Sequence, residues 1–149
     1  MGAIGFQGTI VSVGETADPL ISVGCLVGYD RTGGGRSEID ATCSESVAKE
    51  FIFGLSDYGT LTVDVNYDPE SAGWVLVEAA ELSDTPYFFS IEFSNKPDSN
   101  PGATGTIKTF EGYVMSTSDN GALDDKLSGS FEVKISGAIT QTAPVAGTP

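Results

Sequence analysis

A strict alternation of apolar and polar residues runs through Leu61-Thr62-Val63-Asp64-Val65-Asn66-Tyr67. Successive side chains of a β-strand point to opposite faces, so the four apolar residues share one face and the three polar residues share the other. The pattern therefore predicts a strand with one buried and one solvent-facing side. Residues 89–94 and 131–139 alternate in the same way. Three such strands, in a chain with 19 glycines, indicate a mainly β protein.

Four weaker stretches are also consistent with strands: 6–13, 21–29, 51–55 and 107–117. Ser56-Asp57-Tyr58-Gly59 predicts a tight hairpin before Leu61, because Gly59 can adopt a positive φ angle. The strands contain little Lys or Pro that would protect their edges from pairing. This favours association of subunits through sheet edges.

One helix is predicted at about residues 69–82. Asp68 can serve as its N-cap, and Pro69 suits the first helical position because its φ angle is fixed and it lacks an N–H donor. Gly73 costs a helix about 1 kcal/mol relative to alanine. We therefore expect packing of Trp74 to hold the helix in place.

The charge balance excludes several classes of protein. The 149 residues are enough for one domain, and 21 acidic against 7 basic residues give a net charge of −14. A protein that grips phosphates would need basic side chains, and an anionic membrane surface would repel this chain. The absence of histidine removes Ser-His-Asp and Cys-His catalysis and His-ligated zinc.

The two cysteines and the chain ends carry few indications of function. Cys25 and Cys43 cannot form a Cys-only zinc site; two buried free thiols are favoured over a single disulfide. The first residues lack a basic, apolar leader, and no apolar run approaches the 18 or more residues of a membrane span, so we expect synthesis in the cytoplasm. Residues 140–149 have no periodicity, which predicts a flexible C-terminal tail after a single domain of residues 1–139.

Three clusters were weighed as chemical sites. The glycines and arginines of 31–36 could bind an anion, but a flexible loop is the simpler interpretation. Acidic residues within 119–125, and more weakly within 98–102, could bind calcium, but their spacing is that of ordinary turns. The pair Glu38 and Asp40 could suggest glycoside hydrolysis, yet such pairs are expected by chance in an acidic chain. We predict no catalytic, metal-binding or cofactor-binding residue, and no cofactor.

The middle of the chain resembles the tail tube proteins of long-tailed, lambda-like bacteriophages. The resemblance lies in Ser37-Glu38-Ile39-Asp40-Ala41-Thr42, in residues 49–61 with Gly54-Leu55-Ser56-Asp57-Tyr58-Gly59, and in Val65-Asn66-Tyr67-Asp68-Pro69. Further similar segments follow in the same order: 88–93, 109–114, 124–126 and 134–137. Together these segments span residues 37–139.

The resemblance implies a β-sandwich or partial barrel of two packed sheets with one flanking α-helix, assembling into a hexameric ring. Rings would stack into a tube through which double-stranded DNA passes without tight binding. The implied partners are other copies of the chain, a tape measure protein, a tail terminator and distal tail or baseplate proteins, with no membrane. The protein would be a structural component of the virion tail, made in the host cytoplasm, and not an enzyme.

Alternation and resemblance together assign residues to three locations: the core, the lumen wall and the loops between stacked rings. The core is predicted to contain Leu61, Val63, Val65, Trp74, Phe89, Ile91, Phe93, Phe131, Val133 and Ile135. The lumen is predicted to be lined by Thr62, Asp64, Asn66, Ser90, Glu92, Ser94, Glu132, Lys134 and Ser136, whose acidic and hydroxyl groups would repel phosphate. Mobile loops that contact stacked rings are predicted at Glu15, Asp18, Arg31, Gly33, Gly34, Gly35, Arg36 and Glu38.

Two alternatives stay open at this point. An inner tube subunit of a contractile tail or of a related secretion apparatus would share the fold, and would differ by an outer surface that binds a sheath. A secreted β-sandwich binding module would suit the composition, but it would require a signal peptide and aromatic side chains on a solvent-facing surface.

Overall fold

The computed structural model describes residues 3, 5–16 and 19–148. The elements in these residues are β1 (Ile10–Gly14), β2 (Ile21–Ser22), β3 (Leu26–Thr32), β4 (Gly35–Asp40), β5 (Phe51–Asp57), β6 (Thr60–Asn66), α1 (Ala72–Glu81), β7 (Tyr87–Glu92), β8 (Ile107–Asn120) and β9 (Ser128–Thr142). The prediction of a mainly β protein with one helix is confirmed. No helix among these residues is both long and apolar enough to cross a membrane.

Seven strands form one antiparallel sheet in the order β2-β1-β7-β8-β9-β6-β3. The long strands β8 and β9 belong to two layers, because β7 pairs with residues 107–112 of β8 whereas β6 pairs with residues 128–134 of β9. The pairing of β8 with β9 shifts register between Thr109 and Glu111 and again between Val114 and Ser116. Such irregularities let a strand bend from one layer into another.

Contacts between aromatic rings demonstrate that the two layers face each other. Tyr29 on β3 lies 6.4 Å from Phe93, measured between ring centroids, although β3 and β7 are four strands apart in the sheet. Phe131 on β9 lies 6.5 Å from Phe89 on β7. The first layer contains β2, β1, β7, the start of β8 and the end of β9; the second contains the rest of β8, the start of β9, β6 and β3. The predicted sandwich, open like a partial barrel along β3, is confirmed.

The core lies between the layers and under the helix. Nine of the ten residues assigned to it from the sequence are at most 4% exposed. The tenth, Phe93, is partly buried against the same cluster. The alternation therefore identified the inner side of each strand.

The helix begins three residues later than predicted, at Ala72. Asp68 does not cap it: its Oδ1 accepts a hydrogen bond from the N–H of Glu70 (3.0 Å), and its carbonyl oxygen accepts one from the N–H of Ser71 (3.1 Å). These two bonds close a turn before the helix, and the N-cap residue is Ser71. A capping residue followed by proline thus initiated a turn and not the helix itself.

Gly73 has a packing role in the helix. A Cβ atom at this position would overlap the carbonyl oxygen of Ser22, so glycine allows α1 to lie directly against the backbone of β2. Trp74 is buried between Phe131 and Tyr67, whose ring it meets edge-on with centroids 5.2 Å apart. This packing offsets the conformational cost of glycine in a helix.

The strands β4 and β5 form a separate two-stranded sheet. Thr32, at the end of β3, pairs with Thr60, and Gly35, at the start of β4, pairs with Asp57. The chain segment of β3 and β4 therefore runs antiparallel to the segment of β5 and β6 as one two-stranded ribbon, with a kink between the two pairs. A tight hairpin at 56–59 would pair β5 with β6. That prediction is wrong, since β5 pairs with β4. The loop predicted after Asp30 is also wrong, because residues 35–40 are strand.

Glycines on both strands make the kink possible. Gly34 and Gly59 have φ angles of 84° and 87°, and a Cβ on either would overlap a carbonyl oxygen of the opposite strand. The N–H of Gly59 donates to Oδ1 of Asp57 (2.9 Å). Beyond the kink, residues 35–57 project from the body and form the projecting hairpin.

The C-terminal residues are tied to the body, in contrast to the predicted flexible tail at 140–149. The strand β9 continues to Thr142, and Val145 exchanges two backbone hydrogen bonds with Thr104 at 2.9 and 3.0 Å. Asp98 Oδ1 accepts a hydrogen bond from the N–H of Gly147 (3.2 Å). Isolated bridges of this kind produce no periodicity, which is why the sequence pattern gave no indication of them.

Candidate functional site: the polar outer face and the projecting hairpin

The outer face of the second layer consists of short polar and acidic side chains. In one row across the strands, Asp30 lies beside Thr62, Thr62 beside Glu132, and Glu132 beside Ser116. In the next row, Asp64 lies beside Ser130, and Ser130 beside Ser118. We call this surface the hydroxyl-carboxylate face; it comprises Asp30, Thr62, Asp64, Ser116, Ser118, Ser130 and Glu132.

Hydrogen bonds join β8 to β9 within each row of this face. The hydroxyl of Ser116 donates to Oε2 of Glu132 (3.2 Å), and the hydroxyl oxygens of Ser118 and Ser130 are 3.1 Å apart. Each of the three serine hydroxyls therefore has a partner on the neighbouring strand. The surface consists of polar groups held by the strands, with the exposed side chains of Tyr113 and Met115 on the neighbouring part of β8.

The charge of the face is negative. Among the described residues, a single ion pair meets the usual distance criterion, between Lys134 Nζ and Asp57 Oδ1 at 3.1 Å. The pKa of Asp57 is lowered by the hydrogen bond from the Gly59 N–H and by Lys134. Lys134 is therefore neutralised by Asp57, and the carboxylates of Asp30, Asp64 and Glu132 have no cationic partner.

The residues predicted to line the lumen fall on two different layers. Five lie on the outer side of the second layer or at its end: Thr62, Asp64, Asn66, Glu132 and Lys134. Ser90, Glu92 and Ser136 belong to the first layer, and Ser94 follows it. Because the two layers turn their outer sides in opposite directions, one wall cannot contain all nine residues.

The first-layer members are also less available to solvent. Ser90 is only 8% exposed. Glu92 accepts a hydrogen bond from the N–H of Gly105 (3.5 Å), and the Ser94 hydroxyl donates to the carbonyl of Gly5 (3.0 Å). These contacts hold the first layer to neighbouring segments. These residues and Ser136 therefore cannot share a wall with Thr62, Asp64 and Glu132, and their assignment to a lumen stays a prediction.

Sequence reasoning missed four members of the face, Asp30, Ser116, Ser118 and Ser130. Asp30 directly precedes the residues predicted to form a mobile loop, and the predicted strand at 107–117 ends before Ser118. The alternation of Ser116 and Ser118 with their neighbours is typical of a strand with one polar side. The bulge beside Ser116 shifts this alternation relative to that of the apolar residues before it, so the two parts of β8 do not read as one pattern.

The residues predicted to contact stacked rings mostly lie in one region. Arg31, Gly33, Gly34, Gly35, Arg36 and Glu38 extend from the end of β3 through the kink into β4. The guanidinium of Arg31 donates to the carbonyl of Tyr58 (2.9 Å), and that of Arg36 lies 4.4 Å from the centroid of the Phe53 ring. Glu15 follows β1 in a different loop, and Asp18 lies outside the described residues.

The projecting hairpin exposes large apolar side chains that the body does not cover. The exposed fractions are 47% for Ile39, 45% for Phe51, 55% for Ile52, 59% for Phe53 and 95% for Leu55. An isolated pair of strands is marginally stable in water, and a contiguous exposed apolar surface marks a site of protein association. The exposed apolar side chains of the hairpin are therefore typical of a surface that contacts another protein chain.

Comparison with known proteins identifies the family. The model of the lambda-like phage tail tube family (TTP) matches residues 3–144. This chain belongs to that family. Residues 3–144 of this tail tube protein include every strand and the helix, so the match rests on the whole fold. The protein is accordingly a structural component of a virion tail.

Solved structures agree with the fold of the tail tube protein. The tail of an empty gene transfer agent particle, determined with C6 symmetry, has 12% identity and a TM-score of 0.71, with 95% of this chain and 100% of that chain covered. The SPP1 tail tube has 11% identity and a TM-score of 0.69, with coverage of 95% and 80%. The sheath-tube complex of an extracellular contractile injection system has 12% identity and a TM-score of 0.67, with coverage of 95% and 92%. No curated protein sequence matches the chain.

Within the described ranges, no three His, Cys, Asp or Glu residues are grouped so as to hold a metal ion. Cys25 and Cys43 are free, as favoured from the sequence, but both are exposed and not buried. Hydrogen bonding to Ser46 lowers the pKa of Cys43.

Proposed function

We propose that this tail tube protein assembles into hexameric rings that stack into a tube, with the hydroxyl-carboxylate face lining the lumen through which double-stranded DNA passes. The observation that carries the proposal is the second layer, which combines a polar, acidic outer face with two unpaired edges. The lumen set is then Asp30, Thr62, Asp64, Ser116, Ser118, Ser130 and Glu132, with Asn66 and Lys134 at its margins.

The two edges support closure into a ring. In the described residues, β3 pairs only with β6, and residues 113–120 of β8 pair only with β9. Pairing of the β3 edge of one copy with the β8 edge of the next would satisfy backbone donors and acceptors on both, apart from the N–H of Thr117, which already donates to Glu81 of α1 (3.1 Å). Such a head-to-tail contact joins different surfaces and generates a closed ring when the rotation between copies fits. The C6 symmetry of the gene transfer agent tail supports six copies.

The electrostatics of the face support passage of DNA without binding. Tight association with DNA depends on cationic side chains that displace counterions from phosphates. The face presents Asp30, Asp64 and Glu132. Of the cations near it in the described residues, Lys134 is paired with Asp57, and Lys126 lines a cavity in which carboxylates outnumber it. Like charges on wall and phosphate repel within a Debye length of about 8 Å at physiological ionic strength, so DNA would be kept from adhering.

Tail partners are part of the same proposal. A tube needs a terminator at one end and distal tail or baseplate proteins at the other, and a tape measure protein inside during assembly. Similar folds occur in a tube terminating cap and in a baseplate of contractile injection systems, at 11% and 12% identity. An inner tube of a contractile system is the second candidate, supported by the likeness to a sheath-tube complex.

Electron microscopy of the purified protein tests the proposal. Negative staining is expected to reveal hollow filaments or six-fold rings, and a monodisperse monomer at high concentration would contradict it. The lumen assignment is tested with Asp64→Lys/Glu132→Lys, which should retain DNA in assembled tubes after a salt wash that clears the wild type. The matched control, Glu70→Lys/Glu78→Lys, changes the charge equally outside the face and should retain none.

A further inference from the structure

The mouth of the sandwich holds an aromatic cleft, formed by Phe6, Tyr29, Phe93 and Lys108. It opens where β3 and the first layer separate without pairing. The ring of Tyr29 lies 6.3 Å from Phe6 and 6.4 Å from Phe93, between centroids. The cavity has a volume of about 400 Å³, and a second cavity of about 300 Å³ shares Tyr29, Phe93 and Lys108 with it. Both volumes fall in the range of roughly 300–1,000 Å³ that is usual for binding pockets.

Lys108 gives the cleft a positive charge. Its ammonium group lies 5.9 Å from the centroid of the Phe93 ring. In the described part of the chain, Lys108 forms no ion pair with a carboxylate. A half-buried cation between aromatic rings, with no anionic partner, favours an occupant that is both apolar and acidic.

One face of the projecting hairpin has this chemistry. Glu38 lies directly across from Phe53, and Asp40 directly across from Phe51, so the two rings and two carboxylates share a face. The guanidinium of Arg36 lies 4.4 Å from the centroid of the Phe53 ring on this face, and two carboxylates against one guanidinium leave the face net negative. Both phenylalanines are about half exposed, and Glu38 and Asp40 are exposed. Among the described strands and helix, the main contact of the hairpin with the body is near its base, where β5 approaches β9.

We propose that the aromatic cleft receives the Phe51/Phe53 face of the projecting hairpin of a second copy, with Glu38 or Asp40 pairing with Lys108. The inference rests on the proposed assembly into a tube and specifies one of its contacts. It joins two different surfaces, so each subunit can donate a hairpin and receive one. Burial of two phenylalanine rings would remove apolar surface from water on both copies.

The charges that line this cleft distinguish it from a larger cavity elsewhere on the described surface. A cavity of about 470 Å³ is lined by Val27, Asp64, Asp119 and Asp125, among others. Three carboxylates there would repel Glu38 and Asp40, and only Lys126 would oppose them. The aromatic cleft offers rings and Lys108 instead; Asp30 and Arg31 also line its smaller cavity, so the charges around that cavity sum to +1.

Charge reversal tests the contact. Lys108→Glu and the double variant Glu38→Lys/Asp40→Lys should each raise the concentration needed for assembly, measured by sedimentation of tubes, at least tenfold. The triple variant should recover most of the loss because the charges are again opposite. Lys126→Glu, which makes the same change at the other cavity, should assemble like wild type. Thermal melting of each variant monomer checks that it is folded.

Photocrosslinking locates the contact independently. With p-benzoylphenylalanine at position 53, and a mixture of ¹⁵N-labelled and unlabelled subunits, crosslinks are expected between chains and within residues 93–110. Crosslinks confined to one chain or to other regions would overturn the proposal, as would normal assembly of the reversed variants or failure of the triple variant to recover. If the wild type forms no rings or tubes, the proposed function fails as well; if it does, these failures concern the cleft alone.

Discussion

Replacing Gly73 by alanine should destabilise the protein, although the same change in an ordinary helix is favourable by about 1 kcal/mol. The added Cβ would overlap the carbonyl oxygen of Ser22 and lie 2.6 Å from the Cα atom of Val23. These are backbone atoms of β2 and of the residue after it, so no side chain can rotate away. The helix must move outward, and Trp74 loses part of its contact with Phe131.

The magnitude follows from two opposing effects. Overpacking of a well-packed site costs about 1–3 kcal/mol, and a clash with backbone belongs near the upper end. Subtracting the propensity gain of about 1 kcal/mol leaves a net loss of about 2 kcal/mol in the free energy of unfolding.

Urea denaturation measures this loss. Trp74 is the single tryptophan, and it is buried, so its fluorescence reports unfolding directly, with circular dichroism as a second probe. Val75→Ala, at a half-exposed position of the same helix, is the control and should change the midpoint little. A Gly73→Ala variant as stable as wild type, or more stable, would refute the argument from close approach.

Two further predictions concern side chains that tie elements together. Glu81 accepts hydrogen bonds from the N–H (3.1 Å) and the hydroxyl (3.2 Å) of Thr117. Glu81→Ala should therefore lower the free energy of unfolding by about 1 kcal/mol, and Glu81→Gln by less. Equal losses for the two variants in urea denaturation would contradict a specific role of the carboxylate. The pKa of Asp57 is lowered in the folded state, so its stabilising contribution is present above the ordinary value of 3.8 and is lost as the pH falls through the lowered value. Asp57→Asn should therefore reduce the pH dependence of the melting temperature in acid, and an unchanged profile would argue against the bond from Gly59 and the pair with Lys134.

The sequence predicts the sides of the strands better than their places in the sheet. Alternation in 61–67, 89–94 and 131–139 identified the buried residues, because each strand has one side in the core. Alternation cannot say which layer a strand joins. Ser90 and Asp64 have the same pattern, yet they lie on layers whose outer sides point in opposite directions.

The remaining differences have physical causes that act between distant residues. The glycines of 31–36 indicated a mobile loop, but the kink also needs Gly59 and its contacts with the opposite strand. The hairpin strands β4 and β5 are exposed on both faces, so their apolar residues serve association and not the core. Of the candidate site, the acidic character of Asp64 and Glu132 was predictable, whereas the aromatic cleft depends on Tyr29 meeting Phe93 across the sandwich.

The continuity of β8 and β9 through both layers has a mechanical consequence. The two strands are paired at twelve positions, from Ile107 with Thr142 to Asn120 with Ser128. Because both strands cross from one layer to the other, sliding the layers past each other would have to bend two covalent chains together and could not proceed by opening hydrogen bonds one at a time. The two layers of each subunit are therefore coupled through the chain itself, a useful property for the wall of a tail tube.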